Sequence, residues 1–543
     1  MLSNLTAAGL DGQRGGWERL PADVRELVRL DPTAPPPATL PEFLESQSPF
    51  ERERLEGTAG AAAAAHAAML NDPGDDYARR VGLQNDFWRY VAASDGVPGT
   101  QLGVELVESA ATQVALSDAS DRSAVADSAY RFPADTGESL LDVAARNNES
   151  NARILADDFD GDGTPDSRRD AVLGPLFTHE WQDDGASLGR LTSWMTDEAT
   201  AVDEPSAAAT DHTDPADHDR RDRADRAALG LATYLSDPDH YERFMDMHGP
   251  ATSNLGEVNP ELLHAASRGL VGYIPHLAGI DTGSSEWGTR ALESSDAGDK
   301  RFVHAQRVFS LMATGQDANT TFMGGALAFQ ETYDRAFVRS LVEPDRWGTI
   351  SPDTAAAGNT AHIQALIDTG IYGAALEQSR DQENIANFVA ERRNQAYDVG
   401  YTMMRNAVAS FLPANFTVGM GVDMFNPTVR DIFTNPETPT ENYAFTVNSS
   451  ELSAHNDIRI LRFLMDEYGA PRSPEAIDAL QKTGILDEHG SQSEITSSPQ
   501  SIRRWVSNAM EAEFGTDYID RYTNEYIVSY ADVTPSIHLI EVK

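Results

Sequence analysis

The chain contains no cysteine. That excludes disulfides, thiolate nucleophiles, and zinc or iron held by sulfur, and it is compatible with export. Basic charge is scarce too: 42 Lys and Arg stand against 86 Asp and Glu, a net charge of −44, and lysine occurs only as Lys300, Lys482 and Lys543. A field of that sign repels phosphate, so nucleic acid and anionic membrane surfaces are expected to be poor partners, and basic proteins and divalent cations better ones. The same acidity serves solubility or tolerance of high salt. Long hydrophobic runs are missing as well. The most apolar stretch, 407–429, is interrupted by Pro413, Asn415, Asp423 and Pro427, whereas a spanning helix needs about 20 apolar residues in a row. The start, MLSNLTAAGLDGQRGGWERL, has no basic segment followed by an apolar one, so no cleavable Sec signal is expected. Period-2 alternation is scarce, which disfavours sheets. A Gly-rich phosphate loop, paired strand-borne carboxylates and a Gly-x-Ser-x-Gly nucleophile turn are all lacking.

What is present is helical periodicity. The 543 residues, 40% of them hydrophobic, can bury several cores. From Leu140 to Leu311 one amphipathic segment follows another, through ESLLDVAARNNESNARILADD, GPLFTHEWQDDGASLGRLTSWM, LGEVNPELLHAASRGLVGYIPHLAGI and RFVHAQRVFSL. The pattern predicts an all-α fold: an irregular, solenoid-like array of helical hairpins with long loops and a C-terminal helical cluster. The divisions expected are an N-terminal helical region (1–135), a central helical domain (136–285) with an acidic insertion near 200–225, a second helical domain (300–435) and the closing cluster (450–543). Ser117 to Asp127 reads as a loop, Asp281 to Lys300 as a hinge, 375–412 as one long core helix, and 413–450 as irregular. No repeat of fixed period emerges.

The sharpest local motif is DFDGDGTPDSRRD. Asp158, Asp160, Asp162 and Asp166 take positions 1, 3, 5 and 9 of a calcium-type loop, with Gly163 at the bend and Thr164 offering a backbone carbonyl. Position 12 holds Arg169 in place of a bidentate Glu, and Asp170 is the substitute from the next position. Calcium takes six to eight hard oxygens, which closely spaced aspartates supply; the expected role is structural, fixing the flanking helices.

Other candidates have simpler readings. The HTDPADHD cluster (His212, Asp214, Asp217, His218, Asp219) has ligand types for zinc or nickel but lies in a charged tract without supporting residues. His179, Asp183 and Asp184 could form an acid/base group, although i, i+4 spacing explains His179 beside Asp183 as a helix-surface pair. Trp181 and Trp194 read as core, and His304 as a satisfied helix residue. In LGEVNPEL, Asn259 is placed to cap, Pro260 opens a helix, and Leu262, Leu263, Ala266 and Leu270 form its buried face.

LFTHEWQDDGASLGRLTSWM and LGEVNPELLHAASRGLVGYIPHLAG, with RVFSLMATG, TAHIQALIDTG and FLPANFTVGMGVDMFNPTVRDIF, resemble actinobacterial proteins containing a TPR repeat region that accompany WXG100-type, or type VII, secretion systems. The resemblance spans residues 15–435. It implies a TPR-like helical body that is secreted or surface-associated without a Sec signal, cytoplasmic residence being the alternative. Two family features are missing: Glu18 and Arg19 follow Trp17 where a Trp-x-Gly turn would stand, and no tyrosine has an acid four residues on. The function expected is a non-enzymatic scaffold linked to type VII secretion or toxin delivery, with a WXG-type or basic toxin or immunity protein as partner and structural calcium as cofactor. An extracellular metal-dependent hydrolase and a virion or surface-layer protein are the alternatives.

Overall fold

The computed structural model describes residues 96–121, 134–200, 215–247, 253–280, 302–342, 354–378 and 382–401, with Gly16, Trp287, Leu292 and pieces of 456–534. Of these residues 82% are helical and none lies in a strand element, so the chain is all-α as the periodicity predicts. The 413–450 stretch, most of the 281–300 hinge and His212 and Asp214 lie outside the described residues.

The chain divides into two compact units. Unit 1 comprises Met1–Met195, Asp219–Leu231 and Asp246–Ala266; unit 2 comprises Thr196–His218, Ala232–Met245 and Ser267–Lys543.

Within unit 1, α1 (Thr100–Asp121) packs on α2 (Ala134–Ala144), α3 (Asn148–Leu155) and α4 (Arg169–Thr178). Residues 117–121, expected in a loop, belong to α1. Helices α2 and α3 divide the continuous segment read from 138–158. The cause is Asn147, whose side chain accepts from the amides of Glu149 (2.9 Å) and Ser150 (3.2 Å) and starts a new helix. Short α5 (Ala186–Gly189) follows, and then α6 (Met195–Thr200), which belongs to unit 2 from Thr196 on. Helix α7 (Pro215–Ser236) begins inside the tract read as an acidic insertion. Its Pro215 suits a first helical turn, and Ala224, Ala227 and Ala228 give it an inward face. Close packing fixes its place in unit 1: a Cβ at Gly230 would stand 2.1 Å from the Leu155 carbonyl oxygen. Arg169 Nη1 donates to the carbonyls of Gly230 (3.0 Å) and Leu155 (3.3 Å) at the same spot. Of the next helices α9 (Leu255–Val258) belongs to unit 1, α8 (Pro238–Met245) and α11 (Ile274–Leu277) to unit 2, and α10 (Pro260–Leu270) to unit 1 as far as Ala266.

In unit 2 the long elements are α12 (Val303–Thr314), α13 (Gln316–Val342), α14 (Thr354–Gln378), α15 (Gln382–Gln395), α16 (Pro474–Thr483) and α17 (Tyr518–Val533). Of the 375–412 segment, 379–381 and 402–412 lie outside the described residues. Helix α14 ends at Gln378, α15 runs to Gln395, and a π-helical turn covers Ala396–Tyr401. The π turn lies on α13, and Gly400 permits it: a Cβ there would come within 1.8 Å of the Thr320 carbonyl oxygen, and one at Gly324 within 2.1 Å of Gly400. At the head of α12, His304 Nδ1 meets the Ser236 carbonyl (3.2 Å) and hydroxyl (3.1 Å), and Arg307 Nη1 donates to that carbonyl at 3.1 Å. Both side chains thus close the open C-terminus of α7, where a cation is favoured. Burial and the neighbouring Arg307 push the His304 imidazole below its usual pKa.

Unit 2 buries two hydrogen-bonded carboxylates, Asp334 and Asp368. Asp334 on α13 is fully buried, with Arg459 Nε at 2.6 Å, Thr360 Oγ1 donating at 3.0 Å and the Tyr522 hydroxyl at 2.5 Å. Burial pushes its carboxyl up, and Arg459 opposes that shift. Asp368 on α14 accepts from Arg393 Nη2 (2.6 Å), Gln364 Nε2 (3.0 Å) and the Tyr530 hydroxyl (2.9 Å).

Candidate metal-binding site

The aspartate loop joins α3 to α4. Its bends come from Gly161 and Gly163, at φ +78° and +83°, a region that costs a residue bearing Cβ but not glycine. Gly163 has open space around it, so φ alone demands glycine there. Phe159 anchors the loop: it is 1% exposed, with the Arg168 guanidinium 4.8 Å from its ring centroid.

Of the sequence-predicted ligands, Asp158, Asp160 and Asp162 come together, with one carboxylate oxygen of each within 4.8 Å of the others. Oxygens bound at about 2.4 Å around one cation span that range, so the three fit a hard cation. Asp158 is buried and the other two are exposed. Each carboxylate also closes a local turn: Asp158 Oδ1 accepts from Gly163 N (3.1 Å), Asp160 Oδ1 from Asp162 N (3.1 Å), and Asp162 Oδ1 from Thr164 N (2.8 Å). The Thr164 hydroxyl donates to Asp162 as well, and these two bonds hold the Asp162 carboxyl below the usual range. Asp166 is not in the trio. Its Oδ2 folds back to accept from the amides of Phe159 (2.6 Å) and Asp160 (3.3 Å), tying the loop's second half to its first. Asp170 lies exposed in the first turn of α4, where negative charge suits the helix end.

The residue that shapes the loop is one the motif passes over. Asp157 sits at φ +61°, and its carboxylate accepts from the amides of Ser167 (3.0 Å), Arg168 (2.9 Å) and Arg169 (2.9 Å). Its carbonyl accepts from Asp166 N at 2.7 Å. Asp157 thus cinches the loop and caps α4 from a distance of ten to twelve residues, beyond any local capping pattern. Two cations stand near: Arg153 Nη1 donates to the Asp160 carbonyl (3.2 Å), and Arg226 Nη1 lies 3.8 Å from Asp158 Oδ2.

His179, Asp183 and Asp184 do not converge on a reaction centre. His179 ends α4 and its Nδ1 pairs with Asp118 at 2.8 Å, not with Asp183, because α4 stops at Thr178 and the i, i+4 geometry is lost. Asp183 caps the next turn, accepting from Gly185 N (3.1 Å) and Ser187 N (2.8 Å). The carbonyl of Asp184, at φ +57°, accepts from the amides of Glu261 (3.1 Å) and Leu262 (3.2 Å), and so caps α10. Asn259 has a different task from the expected one. Its Oδ1 accepts from Trp181 N (3.1 Å) and its Nδ2 donates to the His179 carbonyl (2.7 Å), stitching the 179–181 turn to the start of α10. Leu262, Leu263, Ala266 and Leu270 are buried as expected, and so are Trp181 (2%) and Trp194 (8%). His218 is exposed on α7.

The TPR repeat domain family matches residues 3–194. That stretch ends one residue before the first segment of unit 1 does and contains the aspartate loop and the His179 turn. No curated protein and no solved structure matches the chain. TPR repeats mediate protein–protein contact, so this part of the chain has the character of a helical interaction scaffold. Among the described residues no helix is long and apolar enough to cross a membrane.

Proposed function

We propose that the protein is a non-enzymatic interaction scaffold that works outside the cytoplasm with a type VII secretion or toxin-delivery system, and that its aspartate loop holds a structural calcium ion. The observation carrying the scaffold reading is the TPR repeat domain match over residues 3–194, within which Asp183 and Asp184 are spent on helix caps. The net charge of −44 supports a basic partner, a toxin or immunity protein or a WXG-type protein, drawn in by long-range attraction. The calcium reading rests on the convergence of Asp158, Asp160 and Asp162 between two helices. At that loop calcium would add ligand bonds to a geometry Asp157 already fixes, stiffening the α3–α4 corner.

Immobilised full-length protein, exposed at low salt to WXG-type proteins and to basic toxin and immunity proteins of one secretion locus, should retain at least one, and raised salt should release it. Retention of none of them would remove the delivery reading. For calcium, titration calorimetry should show saturable heat that Asp160→Ala abolishes, and a flat thermogram together with an unchanged melting temperature in millimolar calcium would remove the metal.

A further inference from the structure

The end of α7 is held to α12 by two side chains on one oxygen. The Ser236 carbonyl meets His304 Nδ1 at 3.2 Å and Arg307 Nη1 at 3.1 Å, and the Ser236 hydroxyl lies 3.1 Å from the same imidazole nitrogen. A carbonyl only accepts, so Nδ1 carries its hydrogen there and Nε2 is the atom left to titrate. One residue on, Asp237 Oδ1 accepts from the amides of Asp239 (3.0 Å) and His240 (3.3 Å) and starts α8. Tyr241 fastens the corner a second time: its hydroxyl pairs with Ser310 Oγ of α12 at 2.9 Å, and the Arg307 guanidinium lies 5.9 Å from its ring centroid. We propose that this α7–α8 corner, 234–245, is an acid-opened clasp, held on α12 by a neutral His304 and loosened when that ring takes up a second proton.

The arrangement makes the charged form of His304 a poor fit. A helix C-terminus favours a cation, but Arg307 already supplies one at Ser236. Both nitrogens reach one oxygen, so an imidazolium would stand within about 6 Å of the guanidinium, a range in which like charge disfavours ionisation. The carboxylate that bears on His304 is Asp237, whose side chain is 46% exposed and already engaged by two amides, so water weakens its attraction. Glu242 on α8 is exposed and bears on Arg307, Glu377 on α14 bears on Tyr241, and His240 has its Nδ1 on the Tyr234 carbonyl at 3.1 Å. Burial, and after it Arg307, hold the imidazole below its ordinary value. In the opened corner the ring meets water and returns to about 6.5. The clasp is therefore whole above that pH and is lost as pH falls from there through the lower closed-state value, tenfold for each unit between the two. Opening bares Tyr241, Phe244 and Met245, all buried in the closed form.

Hydrogen exchange of the full-length protein tests this, with rates corrected for the intrinsic pH dependence of exchange. Measurements at about pH 7.5 and about pH 5.5 bracket the interval in which histidine changes charge and an ordinary carboxylate does not. Peptides from 234–245 should lose protection several-fold at the lower pH relative to peptides from α13. His304→Gln keeps an N–H for the Ser236 carbonyl but does not titrate, so its 234–245 protection should be equal at the two pH values. Arg307→Gln removes the neighbouring charge and should make the acid effect smaller than the parent's. Equal protection of the parent at both pH values overturns the proposal, and so does an acid effect in His304→Gln as large as the parent's. Should His304→Gln fail to fold, Arg307→Gln decides: a reduced acid effect supports the clasp, and an undiminished one overturns it.

Discussion

Replacing Asp157 isolates how the aspartate loop is held. Its carboxylate accepts from three consecutive amides at 3.0, 2.9 and 2.9 Å, an arrangement that a cap substitution removes at one stroke. Loss of an ordinary cap costs about 0.5–2 kcal/mol, and bonds to a charged acceptor are worth about 1.5–3 kcal/mol before water replaces them. The Ser167 and Arg168 amides lie in exposed surroundings and regain water on deletion. Asp157→Ala is therefore expected to cost roughly 2–3 kcal/mol, of which about 1 is the penalty for a Cβ without a local hydrogen bond at φ +61°. Asp157→Gly removes the same bonds but not the freedom to adopt that φ, and should lie about 1 kcal/mol closer to wild type. Asp157→Asn keeps one acceptor oxygen and tolerates positive φ, so it should be the mildest. Calorimetric or circular-dichroism melting in excess chelator reads the series, with about 2–4 °C expected per kcal/mol in a unit of this size. If all three variants melt within about 0.5 kcal/mol of the parent, as neutral surface changes do, Asp157 does not organise the loop and the reasoning fails.

Other consequences are open to simple measurements. Gly400→Ala puts a methyl group against the Thr320 carbonyl, and since overpacking costs about 1–3 kcal/mol even where side chains can yield, melting should fall by at least that much; an unchanged melt would refute the close approach. Asp334→Ala leaves Arg459 buried without its carboxylate and should cost about 3–5 kcal/mol, which urea titration would read. For His304 the folded pKa is depressed, so the unfolded chain binds its proton more readily; its contribution is complete above about pH 6.5 and is lost as pH falls from there through the folded value. His304→Gln should flatten that part of the stability profile, and a profile unaltered by the change would refute the assignment. Asp162 is depressed too by its Thr164 bonds, so their contribution is complete above pH 3.8 and is lost as pH falls from there through the lower folded value, which acid titration of a Thr164→Val variant against the parent would read.

Helix content and core faces were legible because burial repeats at helical spacing: Leu262, Leu263 and Ala266 could be named in advance and are buried. Three of the aspartates could be named because turn chemistry is local, with Asp158, Asp160 and Asp162 bonding within five residues. What escaped is non-local. Asp157 acts across twelve residues, Asn259 across eighty, and Tyr522 on Asp334 across 188, and no spacing rule encodes such partners.

The chain's route has a practical outcome for anyone cutting it. Unit 1 is completed only by stretches 219–231 and 246–266, which lie beyond the boundary at 195. A fragment trimmed to 3–194 would sever the stitch from Asn259 to the His179 and Trp181 backbone and the cap that Asp184 gives Glu261 and Leu262. On the ribosome the same geometry delays closure: the Asn259 stitch and the Asp184 cap form only once the 246–266 stretch has been made, and until then those backbone groups stay in water.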